Sequence, residues 1–258
     1  MGVSERPEMR SYTTDRGAGC KGRTGRSIFA RAGKPTPMRA PPDLRLYAIV
    51  DPERAGGRDL ADLARSVAAN GATLVQLRDK RSETREMIET ARAVKRSLAL
   101  FAVPFLVNDR VDVALAAGAD GVHLGPDDMA VADARALLGP DAIVGLSVKT
   151  VDAADAARID LIDYAGVGGV YATLSKEQKS APIGTQGLAR VAAALRRRAP
   201  NLPVCGIAGI DAANAGAVIG AGADGIAVIS ALSLAPDPAA AARGLREVVD
   251  AMLAKRGS

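Results

Sequence analysis

Gln76, Arg78 and Lys80 lie two residues apart at the end of the apolar run 73–77. In an extended strand alternate side chains leave by one face, so the amide and both cations share a side while Val75 and Leu77 occupy the other. Packing gives no reason to end a strand this way, whereas a site for a polyanion does. Further on, Asn108-Asp109 closes a second apolar run and Asp127-Asp128 follows a third. Neighbouring strands lie about 4.8 Å apart, so Asp109 and Asp128 can converge. Two carboxylates among cations suit Mg²⁺, a hard ion that keeps several waters and bridges to phosphate oxygens. The alternative is that each Asp caps the helix that follows it; the company of Arg78 and Lys80 favours the metal.

A second set of residues suits a phosphate. Gly209 follows the run 204–207 and Ser230 closes the run 225–229, positions where backbone N–H groups can cradle an anion. A turn glycine and a helix cap are the plainer reading. Ser147 ends the run 143–147, and the long segment 167–186 carries Gly168-Gly169, Thr173, Ser175 and Lys176. Loops of that length in a compact domain are usually functional. Lys176 is then either a mobile cation over the substrate or a solvated charge. His123 is the only histidine, which excludes a multi-His metal site. Its place inside an apolar run points to a structural role, and Cys205 is expected in the core.

These residues need a scaffold that gathers strand ends. Strands are expected at 44–50, 73–77, 105–108, 121–124, 143–147, 162–166, 204–207 and 225–229. Helical spacing separates them at 60–69, 84–100, 111–117, 130–138, 151–157, 188–198 and 213–221, with a last helix over 238–253. The joint Ala117-Gly118-Ala119-Asp120-Gly121-Val122 recurs as Ala221-Gly222-Ala223-Asp224-Gly225-Ile226. Strict alternation implies parallel strands with right-handed crossovers. Eight units and the absence of a dinucleotide glycine fingerprint favour an α/β (β/α)₈ TIM barrel over a doubly wound sheet. Chemistry in such a barrel sits at the carboxyl ends of the strands, which is where the polar residues above fall.

Composition bounds the rest. The 258 residues are 48% hydrophobic and 3% aromatic without Trp, so the core is built from aliphatic side chains. Residues 1–42 carry nine Lys/Arg against three Asp/Glu, and the remaining 216 carry 25 against 26. The net charge of +5 therefore belongs to the first segment, read as a disordered, basic Arg/Gly/Pro-rich tail ahead of a barrel domain at 43–258. Met38 is an alternative start that would make the upstream segment non-native. The tail lacks the amphipathic stripe of a targeting peptide, and no apolar run approaches the ~18 residues of a membrane span. Two cysteines, Cys20 and Cys205, support no disulfide framework, so a reducing cytoplasm is expected.

Taken in order, several stretches over residues 44–252 resemble the thiamine-phosphate synthase (thiamine-phosphate pyrophosphorylase) family. They are Gln76-Leu77-Arg78-Asp79-Lys80, Val107-Asn108-Asp109-Arg110, Gly121-Val122-His123-Leu124-Gly125, Gly145-Leu146-Ser147, Thr173-Leu174-Ser175-Lys176 and Val228-Ile229-Ser230-Ala231. The resemblance implies a (β/α)₈ barrel that joins hydroxymethylpyrimidine diphosphate to a thiazole phosphate and releases pyrophosphate with Mg²⁺. It implies that Gln76, Leu77, Arg78, Asp79, Lys80, Asn108, Ser147 and Lys176 hold the pyrimidine diphosphate, with Arg78, Lys80, Ser147 and Lys176 catalytic. Asp109 and Asp128 would ligate Mg²⁺, and Thr173, Leu174, Ser175, Gly209, Ile229 and Ser230 would hold the thiazole phosphate. The chain departs from the family pattern at Pro126, Lys149, Gly169, Ser175 and Ala208, the last where a second glycine is usual. A thiazole tautomerase-like isomerase and a non-catalytic thiamine-precursor-binding barrel are the alternatives. The partners expected are phosphorylated heterocycles and another copy of the chain, with no membrane and no specific nucleic acid.

Overall fold

The structure, a computed structural model, describes residues 40–175 and 180–257. The tail expected over 1–42 thus lies, except for its last three residues, outside the described residues, as does Lys176. Eight strands run β1 (Leu46–Val50), β2 (Leu74–Leu77), β3 (Phe105–Asn108), β4 (Gly121–Leu124), β5 (Ile143–Val148), β6 (Tyr164–Gly168), β7 (Val204–Ile207) and β8 (Gly225–Val228). Each pairs in parallel with its neighbour in sequence, and β8 returns to β1, closing the barrel. The helices are α1 (Leu60–Ala68), α2 (Thr84–Ser97), α3 (Val111–Ala117), α4 (Val131–Leu138), α5 (Val151–Ala156), α6 (Gly184–Arg198), α7 (Ala215–Gly220), α8 (Ser230–Ser233) and α9 (Pro238–Gly257). Among the described residues no helix is long and apolar enough to cross a membrane.

The strands are buried on both faces, which explains why they read as continuous apolar runs. Their outward side chains, such as Val75, Leu77, Val107 and Val122, pack against α1 to α9 in one large cluster. Their inward side chains, among them Tyr47, Leu74, Leu106, Ile143 and Tyr164, fill the barrel.

The repeated joint has a physical origin. Asp120 stands just before β4, and its Oδ2 accepts from the N–H of Phe105 at the start of β3 (2.8 Å) while Oδ1 meets Lys95 of α2 (2.9 Å). Asp163 before β6 does the same with Val144 of β5 (2.7 Å) and Arg135 of α4 (2.7 Å). Asp224 before β8 takes Val204 of β7 (2.9 Å) and Arg196 of α6 (2.6 Å). Each aspartate thus ties two strand starts and one helix together at the amino-terminal face of the barrel. The glycine after two of them permits close packing of backbones. A Cβ on Gly121 would lie 1.9 Å from the Ile143 carbonyl oxygen, and one on Gly225 1.6 Å from that of Leu44.

Most element ends fall within a few residues of the sequence reading, and three differences bear on the site. β6 begins at Tyr164 rather than 162, because Asp163 is spent on its clamp. α6 begins four residues early, at Gly184, which trims the long loop. The four-residue α8 was not expected, being too short to show a period.

Candidate active site

The carboxyl end of β2 delivers Gln76 into the barrel and Arg78 and Lys80 to its rim. Arg78 is ion-paired with Asp51, the residue after β1, which is 1% exposed. Asp51 also caps the short 3₁₀ turn Pro52–Arg54, its Oδ1 accepting from the Glu53 N–H at 2.9 Å. Lys80 is ion-paired with Asp109. Leu77 leaves by the opposite face into the helix layer, so only its backbone borders the rim. The carboxylate of Asp79 is used by its own turn, accepting from the Arg81 and Ser82 N–H groups, both at 3.0 Å.

Neither acidic residue read as a metal ligand is a helix cap. α3 has Arg110 at its cap position and α4 has Ala130, both without a capping side chain. Instead Asp109 is ion-paired with Lys80, Asp128 accepts from the Gly125 N–H, and the two carboxyls act on each other's ionisation. Burial pushes the Asp109 carboxyl up to about 6, and the adjacent Asp128 adds to this against the pull of Lys80. Burial works against the Asp128 carboxylate too, but Asp109, the Gly125 N–H (2.6 Å) and Lys80 together hold its carboxyl below the usual range. The pair therefore titrates as a unit, one carboxyl pushed up and the other held down. Asp109 has φ 61°, the left-handed region that Asp tolerates better than most residues and that recurs at functional sites. Gly125 makes room for Asp128, since a Cβ there would lie 2.9 Å from the Asp128 Oδ2.

Across the rim, Ser175 Oγ and Ser230 Oγ are 3.0 Å apart, joining the β6–α6 loop to the start of α8. The Ser175 N–H donates to Thr173 Oγ1 at 3.1 Å. Gly209 follows β7 at φ 64°, and a Cβ on it would lie 2.3 Å from the Ala172 carbonyl oxygen, so only glycine fits. Ala208 beside it adopts φ 89° despite its side chain. These residues and Ile229 line a cavity of about 530 Å³; Leu174 belongs to the same lining and is 91% exposed.

A second, smaller cavity of about 50 Å³ opens inside the barrel, lined by Gln76, Arg78, Asn108, His123 and Ser147. Its polar wall is one hydrogen-bonded chain. The Gln76 amide donates to Tyr47 Oη, which is 2.8 Å from Tyr164 Oη, itself 2.8 Å from His123 Nδ1. His123 Nε2 then meets Ser147 Oγ at 2.9 Å. With the amide donating at one end, each hydroxyl passes its proton onward. His123 Nδ1 accepts, Nε2–H donates to Ser147, and the Ser147 hydroxyl proton is left for a ligand. Ile207, Ala227 and Ile229 border both cavities. Two polar sites thus meet across an apolar wall.

The comparisons with known proteins fall on this same stretch of chain. A family model described as thiamine monophosphate synthase matches residues 46–232. The chain belongs to that family. It is 49% identical over 214 residues to a thiamine-phosphate synthase of Agrobacterium fabrum, covering 83% of this chain and 97% of that protein. It is 46% identical over 208 residues to one of Moorella thermoacetica, covering 81% and 97%. Among solved structures, the thiamine phosphate pyrophosphorylase of Pyrococcus furiosus superposes with a TM-score of 0.72 at 37% identity, covering 82% of this chain and 98% of that one.

As a thiamine monophosphate synthase family member the chain holds polar residues that its sequence had not marked. Asp51, Tyr47 and Tyr164 were hidden among apolar neighbours, and His123, read as structural, borders the inner cavity. Among the described residues no group of three or more His, Cys, Asp or Glu is arranged to hold a metal. The acidic pair nonetheless fits Mg²⁺, because it supplies hard oxygen donors and leaves the remaining positions for water and phosphate oxygens.

Proposed function

We propose that the chain joins 4-amino-2-methyl-5-(diphosphooxymethyl)pyrimidine to 4-methyl-5-(2-phosphooxyethyl)thiazole, giving thiamine phosphate and pyrophosphate. The observation that carries this reading is the pair of cavities sharing Ile207, Ala227 and Ile229 as a common wall. One is lined by Gln76, Arg78, Asn108 and Ser147, the other by the Ser175–Gly209–Ser230 cradle. A bond between two anionic substrates forms where such sites touch.

In the reaction the methylene C–O bond breaks, its electron pair leaving with pyrophosphate, and the thiazole nitrogen lone pair forms the new C–N bond. The electron-rich aminopyrimidine delocalises the positive charge that develops, so the chain's task is to stabilise the departing anion and exclude water. Arg78 and Lys80 do so electrostatically, with Lys176 of the β6–α6 loop in the same role. Gln76, Asn108 and Ser147 orient the pyrimidine; Ser147 offers its proton as a donor. Asp109 and Asp128 would hold Mg²⁺, which when bound neutralises charge on the leaving pyrophosphate. The apolar common wall keeps water from the cation. The incoming nitrogen has no proton to lose, so no general base is needed. His123, with both ring nitrogens engaged, is poorly placed for the proton shuttle that the isomerase alternative requires.

The test is to incubate the purified chain with both heterocycles, with and without Mg²⁺, and assay thiamine phosphate and pyrophosphate. Equal amounts of both products, formed only with Mg²⁺, are expected, and Asp109→Ala and Asp128→Ala should each lose most of that Mg²⁺-dependent turnover. No thiamine phosphate under any condition would overturn the reading. Full activity of both variants at low Mg²⁺ would remove the metal assignment.

A further inference from the structure

The larger cavity has one cation among its described lining residues, Arg54. It ends the 3₁₀ turn that Asp51 caps after β1. Among the described residues its guanidinium makes no hydrogen bond or ion pair. The charges around it are already engaged. Glu53, its neighbour, is held by Arg81 at 2.9 Å. Both Asp51 oxygens are taken, one by the Glu53 N–H and one by Arg78. Asp211 is the single carboxylate among the described lining residues, and its Oδ1 accepts from the Ala213 and Asn214 N–H groups at 2.9 and 3.2 Å.

The remaining polar groups of the cradle, the Ser175 and Ser230 hydroxyls and the backbone at Gly209, are neutral. A phosphate dianion moved out of water into such a cavity needs a charged partner. A guanidinium meets phosphate through two parallel N–H donors, which fixes orientation as well as charge. We propose that Arg54 is a substrate-binding residue for the monophosphate, supplying the charged donor that the Ser175–Gly209–Ser230 cradle lacks. Asp51 then serves both anions, because it grips Arg78 and also fixes the turn that carries Arg54. The inference rests on the function proposed above and assigns a determinant of specificity to it.

Steady-state kinetics of Arg54→Ala and Arg54→Lys with both substrates, and with the thiazole alcohol lacking its phosphate, test it. Arg54→Ala should raise the KM for the thiazole phosphate about 10- to 100-fold and leave the KM for the pyrimidine diphosphate unchanged. Preference for the phosphate over the alcohol should fall by the same factor, and Arg54→Lys should recover part of it. The side chain lies on a turn and bonds to no described residue, so the melting temperature should not move. An unchanged thiazole phosphate KM, or an equal loss for phosphate and alcohol, overturns the assignment while product formation leaves the reaction standing. If the unaltered chain makes no thiamine phosphate, the reaction and the assignment fall together.

Discussion

Asp51 and Arg78 illustrate how one residue's charge is set by another's burial. A carboxylate 1% exposed is costly without a partner, so each side chain holds the other in place at the rim. Asp51→Asn keeps an acceptor for the Glu53 N–H but withdraws the charge. It should lower kcat/KM about tenfold, on the order of 1.4 kcal/mol, with the melting temperature little changed. In an Arg78→Ala background the same substitution should cost nothing further; additive losses would show that Asp51 does not act through Arg78. Ala208 is a different case. At φ 89° it bears strain that is on the order of 1–3 kcal/mol for a non-glycine residue, against a glycine entropy cost of about 0.5–1 kcal/mol. Ala208→Gly should therefore stabilise the chain by about 1 kcal/mol, read from the urea midpoint, and a destabilised variant would mean that the methyl group packs productively. Cys205 needs only its burial to be understood. Removal from water disfavours the thiolate and pushes the thiol up to about 12, so at pH 8 it is protonated. Peptide mapping should find Cys205 unmodified by iodoacetamide until the barrel unfolds.

At the level of the elements, the two ends of the barrel divide the work. Asp120, Asp163 and Asp224 brace strand starts, while the candidate site occupies strand ends. Asp163→Ala should orphan the Val144 N–H and release Arg135, costing about 1–3 kcal/mol. Turnover by the folded fraction should be unaffected. Chemical denaturation together with kcat checks both, and a lost kcat at unchanged stability would contradict the division. All eight strands were legible because parallel strands buried on both faces leave continuous apolar runs between helical spacings. β6 was misplaced by two residues since Ile162-Asp163 continues the run, and the sequence does not say that an aspartate will turn aside to brace β5. The rim cations were legible from alternation alone. The interior chain was not: alternation turns His123 inward, but Tyr47 and Tyr164 are 117 residues apart, and only barrel closure makes them neighbours.

For the molecule as a whole, the question is whether anion binding belongs to a field or to a place. The segment 43–258 carries 25 basic and 26 acidic residues, so it offers phosphates no general attraction. Its candidate-site cations are placed locally, Arg78 at the inner cavity, Lys80 on Asp109 at the rim and Arg54 at the larger cavity. The excess charge resides in residues 1–42, and at physiological salt its influence is screened beyond about 8 Å. The family match spans 46–232 and the first described strand begins at Leu46, leaving the basic segment no part in either cavity's described lining. A chain starting at Met38 should accordingly keep the kcat and both KM values of the full chain, measured side by side at 0.15 M salt. The full chain should bind duplex DNA of arbitrary sequence with an affinity that collapses as salt rises, and the shortened chain should not bind it. A shortened chain with normal folding but a raised KM for either phosphorylated heterocycle would place part of the substrate-binding charge in the basic segment, and the local account of anion binding would have to be given up.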